Sequence, residues 1–229
     1  MTLDLDMGAG PSSLRERKKQ ATRRALRRIA LDLVAERGFA HVTVDDIAAA
    51  ADVSARTFFN YFPTKEAALF GASPDRLEAL REGIVHYAPG DSALDALRAV
   101  LVTEARARAA DLGDLGGDPA SWLSRMKSAH SDGQLRAALA AHMAMVERVI
   151  TEALAERLGT DPDRDPYPAL LASTATGVMR ATMGFWANAG GALALDQLTD
   201  LAFEALAAGL PEDCSLRNVV AISERKHSS

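Results

Sequence analysis

The sequence predicts an all-α fold, in which a small N-terminal three-helix domain precedes a larger helical body. Three observations lead to this prediction. Apolar residues recur at helical spacing along most of the chain. Residues that cap or end helices separate these stretches, and no stretch shows the apolar–polar alternation typical of a strand. With 229 residues and 48% hydrophobic content, the chain can bury a sizeable core.

The first helix is predicted by an apolar stripe that ends shortly before Gly38, a residue suited to a left-handed helix stop. The stripe is formed by Thr22, Leu26, Ile29, Ala30, Leu33 and Val34. Ser12 or Ser13 can cap the helix. Residues 1–12 contain two glycines and a proline without an apolar period, and we expect them to form a disordered tail.

Two short helices with a tight turn between them are predicted over residues 43–62. Thr43 can cap the first, because its hydroxyl accepts an unpaired backbone N–H and Asp46 can reach back to residue 43. Ser54 can cap the second helix. Helix, short turn, helix is the outline of the helix-turn-helix motif that reads DNA.

The second of these helices has two different faces. Phe58 and Phe62 fall about 40° apart at 100° per residue, which predicts a buried edge. Arg56, Thr57 and Asn60 share the other side, where a guanidinium, a hydroxyl and an amide can contact base edges and phosphates. On this pattern alone, an ordinary solvated helix face is an equally good interpretation.

Residues 14–70 contain a series of short motifs whose order and spacing fit a known pattern without insertions or deletions. In order, these are Ala35-Glu-Arg-Gly-Phe39, Thr43-Val-Asp-Asp-Ile-Ala48, Val53-Ser54, Thr57, Tyr61-Phe62 and Lys65-Glu66. The series resembles the N-terminal domain of the TetR family of bacterial transcriptional regulators. The resemblance implies an N-terminal domain that reads DNA and an all-helical remainder that dimerises and binds a small inducer.

The resemblance also implies which residues contact DNA. The family's contact positions correspond to Thr43, Ser54, Ala55, Arg56, Thr57, Asn60, Tyr61 and Lys65. The start of the first helix comes near phosphates in such domains, which adds Arg15, Arg17, Lys18 and Lys19. At the position of Phe59 the family usually has a tyrosine whose hydroxyl often reaches a phosphate. Phe59 lacks that hydroxyl, and could instead touch a thymine methyl group or pack inward.

The segment after the recognition helix predicts a split connector. Thr64 can cap a helix with Lys65 in its first turn, where free N–H groups and a lysine suit a phosphate. The run Gly71-Ala-Ser-Pro74 then interrupts this helix, because Ser73 is a cap and Pro74 fits the first turn of a new helix. The family usually has one long helix here, so this chain departs from the pattern.

Further helices separated by breakers are predicted beyond Pro89. A loop from Gly113 to Pro119 precedes a short helix, and a long helix ends at Gly159. The last two helices are predicted over 166–189 and 195–208. One face of the long helix carries Leu135, Leu139, His142, Val146, Val149 and Ala153.

We therefore expect a DNA-binding domain over residues 13–70, an effector-binding and dimerisation domain over 71–211, and a flexible tail over 212–229. The last two helices are expected to form the homodimer interface as a four-helix bundle. Small residues suited to close packing there are Ala172, Ala175, Gly177 and Ala181.

Methionines and tryptophans of the helical body indicate where an effector binds. The candidate residues are Trp122, Met126, His142, Met143, Met179, Arg180, Met183 and Trp186. Such side chains adapt to irregular apolar ligands, and Arg180, alone in an uncharged helix, could pair with an acidic group of a ligand or of the protein. For any single residue, core packing is the simpler interpretation. As a group they would suit an acyl thioester or a drug-like compound.

Charge is distributed unevenly along the chain. Residues 14–70 contain 11 basic and 7 acidic residues, whereas the remainder contains 15 and 24. A basic end attracts phosphates, and an acidic body stays off the DNA. The basic first helix could also lie on an anionic membrane, but the helix-turn-helix behind it favours DNA.

Other function classes have little support in the sequence. The single cysteine, Cys214, excludes an internal disulfide and fits a reducing cytoplasm. No secretory signal is expected. The segment Asp161–Asp165 lacks the glycine and glutamate of a calcium loop, and no phosphate-binding loop or nucleophile elbow is present. We expect a cytoplasmic protein that is not an enzyme, uses no metal or cofactor and does not bind membranes.

These observations together predict a homodimer that binds a palindromic operator and regulates transcription, as a repressor released by a small apolar or amphipathic effector. An alternative is a DNA-binding dimer without such an effector, acting as an architectural or protein-controlled factor. The first interpretation predicts a cavity in the body, and the second predicts a filled core.

Overall fold

A computed structural model describes residues 14–88, 90–113, 133–189 and 193–214. All secondary-structure elements in these ranges are helices: α1 Leu14–Arg37, a 3-10 turn Phe39–His41, α2 Val44–Ala50, α3 Ala55–Phe59, α4 Lys65–Phe70, α5 Pro74–Val85, α6 Ala93–Gly113, α7 Gly133–Leu158, α8 Tyr167–Asn188 and α9 Leu195–Ala207. The predicted all-α class is confirmed. The predicted N-terminal tail, most of the predicted loop and short helix that follow α6, and residues 215–229 lie outside the described residues.

The predicted caps at Thr43, Ser54, Thr64 and Ser73 are confirmed, whereas the cap predicted at Ser12 or Ser13 lies outside the described residues. The backbone N–H of Thr43 donates to Asp46 Oδ2 at 2.8 Å, and the N–H of Asp46 donates back to Thr43 Oγ1 at 3.1 Å. The Thr43 hydroxyl also donates to Asp46 Oδ2 at 2.6 Å, and this bond, followed by the one from the Thr43 N–H, lowers the pKa of the Asp46 carboxyl. The side chains of Ser54, Thr64 and Ser73 each accept a backbone N–H at the start of α3, α4 and α5. Local hydrogen bonds therefore fix where these helices begin.

The split connector is also confirmed. Helix α4 ends at Phe70, Gly71 adopts a left-handed conformation with φ of 68°, and α5 starts at Pro74. A side chain at position 71 would also be obstructed, because its Cβ would lie 2.8 Å from Cζ of Arg27. Glycine is therefore required here both by backbone conformation and by the contact with α1.

The connecting helix α5 is held to the body at both ends by arginines. Near its start, Arg76 donates to Glu104 at 2.5 Å and to Asp111 at 2.7 Å, both on α6. At its end, Arg157 of α7 donates to the carbonyls of Tyr87 at 2.8 Å and Asp91 at 3.1 Å. The second set satisfies carbonyls that the helix end and the following loop leave unpaired.

Apolar side chains form one core in the N-terminal domain and two in the body. The first contains Leu26, Ile47, Phe58 and Phe62, and Leu135 at the start of α7 enters it from the body. The body cores lie between α5 and α9. Helix α7 therefore packs against both parts of the molecule.

The small residues of α8 are not all available for a dimer interface. Ala172 and Ala175 are fully buried within the chain, which corrects the prediction that they pack against a second copy. They pack in the body core with Leu154 of α7 and Phe203 of α9, because their side of α8 faces these helices. Tyr167 and Leu170 are instead exposed, at 48% and 62%. None of the described helices is long and apolar enough to cross a membrane.

The two adjacent phenylalanines of α3 give a direct test of this packing. Phe58→Ala should lower the free energy of unfolding by about 3–5 kcal/mol, because a fully buried ring leaves a cavity. Phe59→Ala is the matched control and should change it by less than ~0.5 kcal/mol, since that ring is 54% exposed. Urea unfolding measures both, and equal losses would contradict the placement of the two rings.

Candidate DNA interface and internal cavity

The turn between α2 and α3 is held by backbone geometry. Asp52 has a positive φ of 53°, a conformation that aspartate tolerates better than most residues. The N–H of Val53 then donates back to the carbonyl of Ala48 at 3.0 Å. This reversal brings α3 across α2, so that its outer face projects from the domain.

Helix α3 presents the side chains that were predicted to read DNA. Arg56 and Asn60 are exposed, and Ala55, Thr57 and Tyr61 are half-buried. The hydroxyl of Thr57 lies 2.9 Å from that of Ser54. The buried rings of Phe58 and Phe62 set the rotation of the helix. These candidate contacts are therefore at least partly accessible to a partner molecule.

Phe59 projects outward beside these residues. Its ring is 54% exposed and meets the Phe58 ring edge-on, with centroids 5.7 Å apart. The alternative in which Phe59 packs inward is therefore wrong. An exposed aromatic ring on this face can make apolar contact with a thymine methyl group.

Lys65 is engaged within the protein. Its ammonium donates to the carbonyls of Phe39 at 2.8 Å and Val42 at 2.9 Å, and lies 4.0 Å from the centroid of the Phe39 ring. These contacts tie the start of α4 to the segment before α2. An ammonium has three N–H donors, and two of them are used by these carbonyls. Contact between Lys65 and a phosphate stays a prediction.

A cavity of about 710 Å³ lies in the body and extends to the N-terminal domain. Helices α5 to α9 supply most of its wall, and the rest comes from Arg27 of α1, Leu69 and Phe70 of α4, and Ala72 of the connector. Its size is that of a site for a drug-sized ligand. Most of the lining is apolar, with polar groups concentrated in a few places.

Five of the predicted effector-binding residues line this cavity: His142, Met143, Met179, Arg180 and Met183. Trp186 does not, which corrects its predicted placement. It is 3% exposed and packs in the core with Leu112 and Leu198, because its side of α8 faces α6 and α9. Trp122 and Met126 lie outside the described residues.

Three arginines and two carboxylates meet where the cavity approaches the N-terminal domain. Arg76 binds both Glu104 and Asp111, as described above. Arg108 Nη2 lies 3.6 Å from Glu104 Oε1, and its Nη1 donates to the carbonyl of Phe70 at 3.2 Å. Arg27 Nη1 lies 3.8 Å from Asp111 Oδ2. We call these five residues the arginine cluster.

Arg27 is the least well paired member of the arginine cluster. Its side chain is 6% exposed and its Nε has no hydrogen-bond partner. Burial, and then the positive charge of Arg108, lower the pKa of Arg27 to about 10. Sequence reasoning did not identify the cluster. The sequence did contain one indication that Arg108 lies on a buried helix face: it follows the same helical period as the apolar residues Leu94, Leu97 and Leu101.

His142 lies next to the arginine cluster and is held uncharged. Its ring stacks on Phe70, with centroids 5.1 Å apart and planes at 19°. Burial, and then the charge of Arg108, lower the pKa of His142 to about 4. At neutral pH it therefore offers the cavity one N–H donor and one ring-nitrogen acceptor.

Two family models match the chain. Residues 26–72 match the one described as bacterial regulatory proteins, tetR family, and residues 91–211 match the one described as the MftR C-terminal domain. The first match contains the helix-turn-helix and the second contains most of the cavity wall.

Individual proteins are similar over part or most of the chain. The HTH-type transcriptional regulator TcmR of Streptomyces glaucescens is 32% identical over 181 residues, 77% of each chain. A mycofactocin biosynthesis transcriptional regulator, MftR of Mycobacterium tuberculosis, is 35% identical over 86 residues, 38% of this chain and 43% of that protein. The solved structure of NalD, the secondary repressor of the MexAB-OprM efflux pump in Pseudomonas aeruginosa, aligns over 85% of this chain and 99% of that one, with 18% identity and a TM-score of 0.49.

The state of His142 predicts how stability depends on pH. Between pH 6.5 and 4 the unfolded chain binds a proton at this residue and the native state does not, so acidification through this window favours unfolding. His142→Gln removes the effect. From pH 7.5 to pH 5 the variant should lose less stability than the unmodified protein, by on the order of 1 kcal/mol after allowance for solvent screening.

Thermal unfolding across this pH range measures the effect, with His41→Gln at an exposed position as the matched control. The account of His142 is contradicted if His142→Gln and the unmodified protein lose stability in parallel.

Proposed function

The chain belongs to the TetR family of bacterial transcriptional regulators, and we propose that it is a homodimeric repressor that a small apolar or amphipathic effector releases from DNA. As a family member it is a DNA-binding regulator of transcription and not an enzyme. We assign DNA binding to residues 13–70 and effector binding and dimerisation to residues 71–211. The effector would favour a body geometry in which the two recognition helices no longer match the groove spacing.

One observation carries the effector part of the proposal: the cavity wall includes Arg27 on α1 and Phe70 on α4. Both helices belong to the DNA-binding domain. A ligand in the cavity therefore contacts the elements that hold the recognition helix, and can bind two domain arrangements with different affinities. The effector-free alternative requires a filled body, and a cavity of about 710 Å³ favours the effector.

The homodimer is proposed to form through α8 and α9. The exposed residues Tyr167, Leu170 and Ala181 lie on one side of α8, at intervals of three and eleven positions, with the small residue Gly177 between them. Close approach of two such helices would bury this stripe. Arg98 of α6 binds Asp200 at 2.6 Å and Glu204 at 2.7 Å, which fixes α9 to the body behind it.

Selection of bound sites from random duplex DNA, at two salt concentrations, tests the DNA-binding part. We expect enrichment of an inverted repeat whose half-sites are about one helical turn, ~34–36 Å, or a multiple of it apart. Raising the salt should weaken binding while leaving the selected sequence unchanged. Retention of DNA without enrichment would contradict sequence-specific recognition.

Arg56 is the exposed arginine on α3 and gives the sharpest prediction for specificity. Arg56→Ala should cost ~1–3 kcal/mol at one base pair of the selected site and relax the preference there, because a bidentate contact to guanine is lost. Titrations against the selected site and its single-base variants measure this. If Arg56→Ala weakens binding to every sequence equally, Arg56 contacts phosphate instead.

A further inference from the structure

We propose that the effector is an apolar monoanion whose carboxylate binds Arg27 and Arg108 where the cavity meets the DNA-binding domain. This inference rests on the proposed function, since it names the chemistry of that same effector. It also assigns the anion to a location different from Arg180, which lines the cavity but is exposed.

The arginine cluster has an unbalanced charge. Among its five residues, three guanidinium groups face two carboxylates, Glu104 and Asp111, so one positive charge is left over. Arg76 takes the close contacts of both carboxylates, at 2.5 Å and 2.7 Å. Arg27 and Arg108 are left with separations of 3.8 Å and 3.6 Å from the same carboxylates. The excess charge therefore resides on these two residues.

A buried arginine without a close partner is costly, because removing a charge from water is offset only by well-formed ion pairs and hydrogen bonds. Arg27 is 6% exposed, and its Nε has no partner. Arg27 is also one of the residues that line the cavity. An anion entering the cavity could take up donors that the protein leaves unused, which is the arrangement expected of a binding site rather than of a structural ion pair.

The groups around the cluster favour a carboxylate on an apolar body. His142 is uncharged, so it adds a hydrogen-bonding group without adding charge. The rest of the wall includes Leu77, Met143, Met179 and Met183, which suit an alkyl chain or an aromatic ring system. Within the arginine cluster, the single excess positive charge matches a monoanion, and a planar guanidinium binds a carboxylate through two parallel hydrogen bonds.

The position of Arg27 makes this anion site a link to the DNA-binding domain. Arg27 belongs to α1, whose other residues pack around the recognition helix, and it lies against Gly71 between α4 and α5. Arg108 donates to the carbonyl of Phe70, the last residue of α4. An anion that draws these two arginines together acts on α1 and on the end of α4 at once.

The test compares decanoate with decanol, and 2-naphthoate with 2-naphthylmethanol, by calorimetric titration of the full-length protein below micellar concentrations. Each pair shares an apolar body and differs in the acidic group. We expect each carboxylate to bind at least about 10-fold more tightly than its alcohol, the effect of hydrogen bonds to a charged group. Equal affinities within both pairs, or no saturable binding of either carboxylate, would overturn the proposal.

Arg27→Met locates the anion. Methionine keeps an unbranched apolar stem and removes the buried charge, so the variant should fold at least as stably as the unmodified protein. Its affinity for decanoate should fall about 10- to 100-fold, while its affinity for decanol stays unchanged. Arg28→Met, at the adjacent exposed position, is the matched control and should bind decanoate normally. Undiminished decanoate binding by Arg27→Met would overturn the role of Arg27, and loss of the carboxylate preference in Arg180→Met alone would place the anion at the other arginine.

Failure of this inference can be separated from failure of the proposed function. A carboxylate preference that depends on Arg27, without release of the selected DNA site by decanoate, supports the anion site and contradicts release by effector. Release of DNA by decanol and decanoate at equal occupancy, with equal affinities, supports the proposed function and contradicts the anion site.

Discussion

The contact between the Arg27 guanidinium and the backbone of Gly71 joins the two parts of this molecule. It requires a glycine at position 71, since a Cβ there would lie 2.8 Å from Cζ of Arg27. It also places Arg27 of α1 in the wall of a cavity that lies mostly in the body. The connector is split at this point: α4 packs in the core of the DNA-binding domain, whereas α5 is bound to the body by Arg76 and Arg157. The effect of a ligand on DNA binding that we propose therefore does not require one rigid connecting helix.

Local chemistry explains which features could be predicted from the sequence. The caps at Thr43, Ser54 and Ser73 depend on residues three positions apart, and the structure has all of them. The buried edge of α3 follows from the spacing of Phe58 and Phe62. The start of α5 follows from Pro74. In each case the physical cause lies within one turn of helix, so a single sequence contains it.

Contacts between distant residues explain what could not be predicted. Lys65 binds carbonyls 23 and 26 positions earlier in the chain, whereas its place in the first turn of α4 predicted a contact with phosphate. Trp186 was predicted to contact the effector because it is a large aromatic residue, but the packing of α6, α8 and α9 places it in the core. Arg27 lies between the apolar Leu26 and the exposed Arg28, and only the meeting of α1, α4 and α6 shows that it is buried. Fold class follows from periodicity, whereas the chemistry of the cavity depends on how the helices meet.

The uneven charge of the chain also has a structural counterpart. The basic surface lies on the DNA-binding domain, where Arg56 on α3 and the exposed Arg17 and Arg28 on α1 can act on phosphates at a distance. The positive charge of the arginine cluster is buried, so water and salt screen it far less. Arginine side chains therefore form both the exposed basic surface and the buried arginine cluster, and burial makes the two differ in their response to salt.

The most direct test of the account is thermodynamic reciprocity between the two sites. Decanoate affinity should be measured for the free protein and for the protein saturated with its selected DNA site, and DNA affinity should be measured with and without saturating decanoate. If the cavity and the recognition helix are coupled through the Arg27 junction, each ligand must weaken the other by the same factor, and Arg27→Met should bring that factor close to one. A decanoate affinity that DNA leaves unchanged would contradict the coupling.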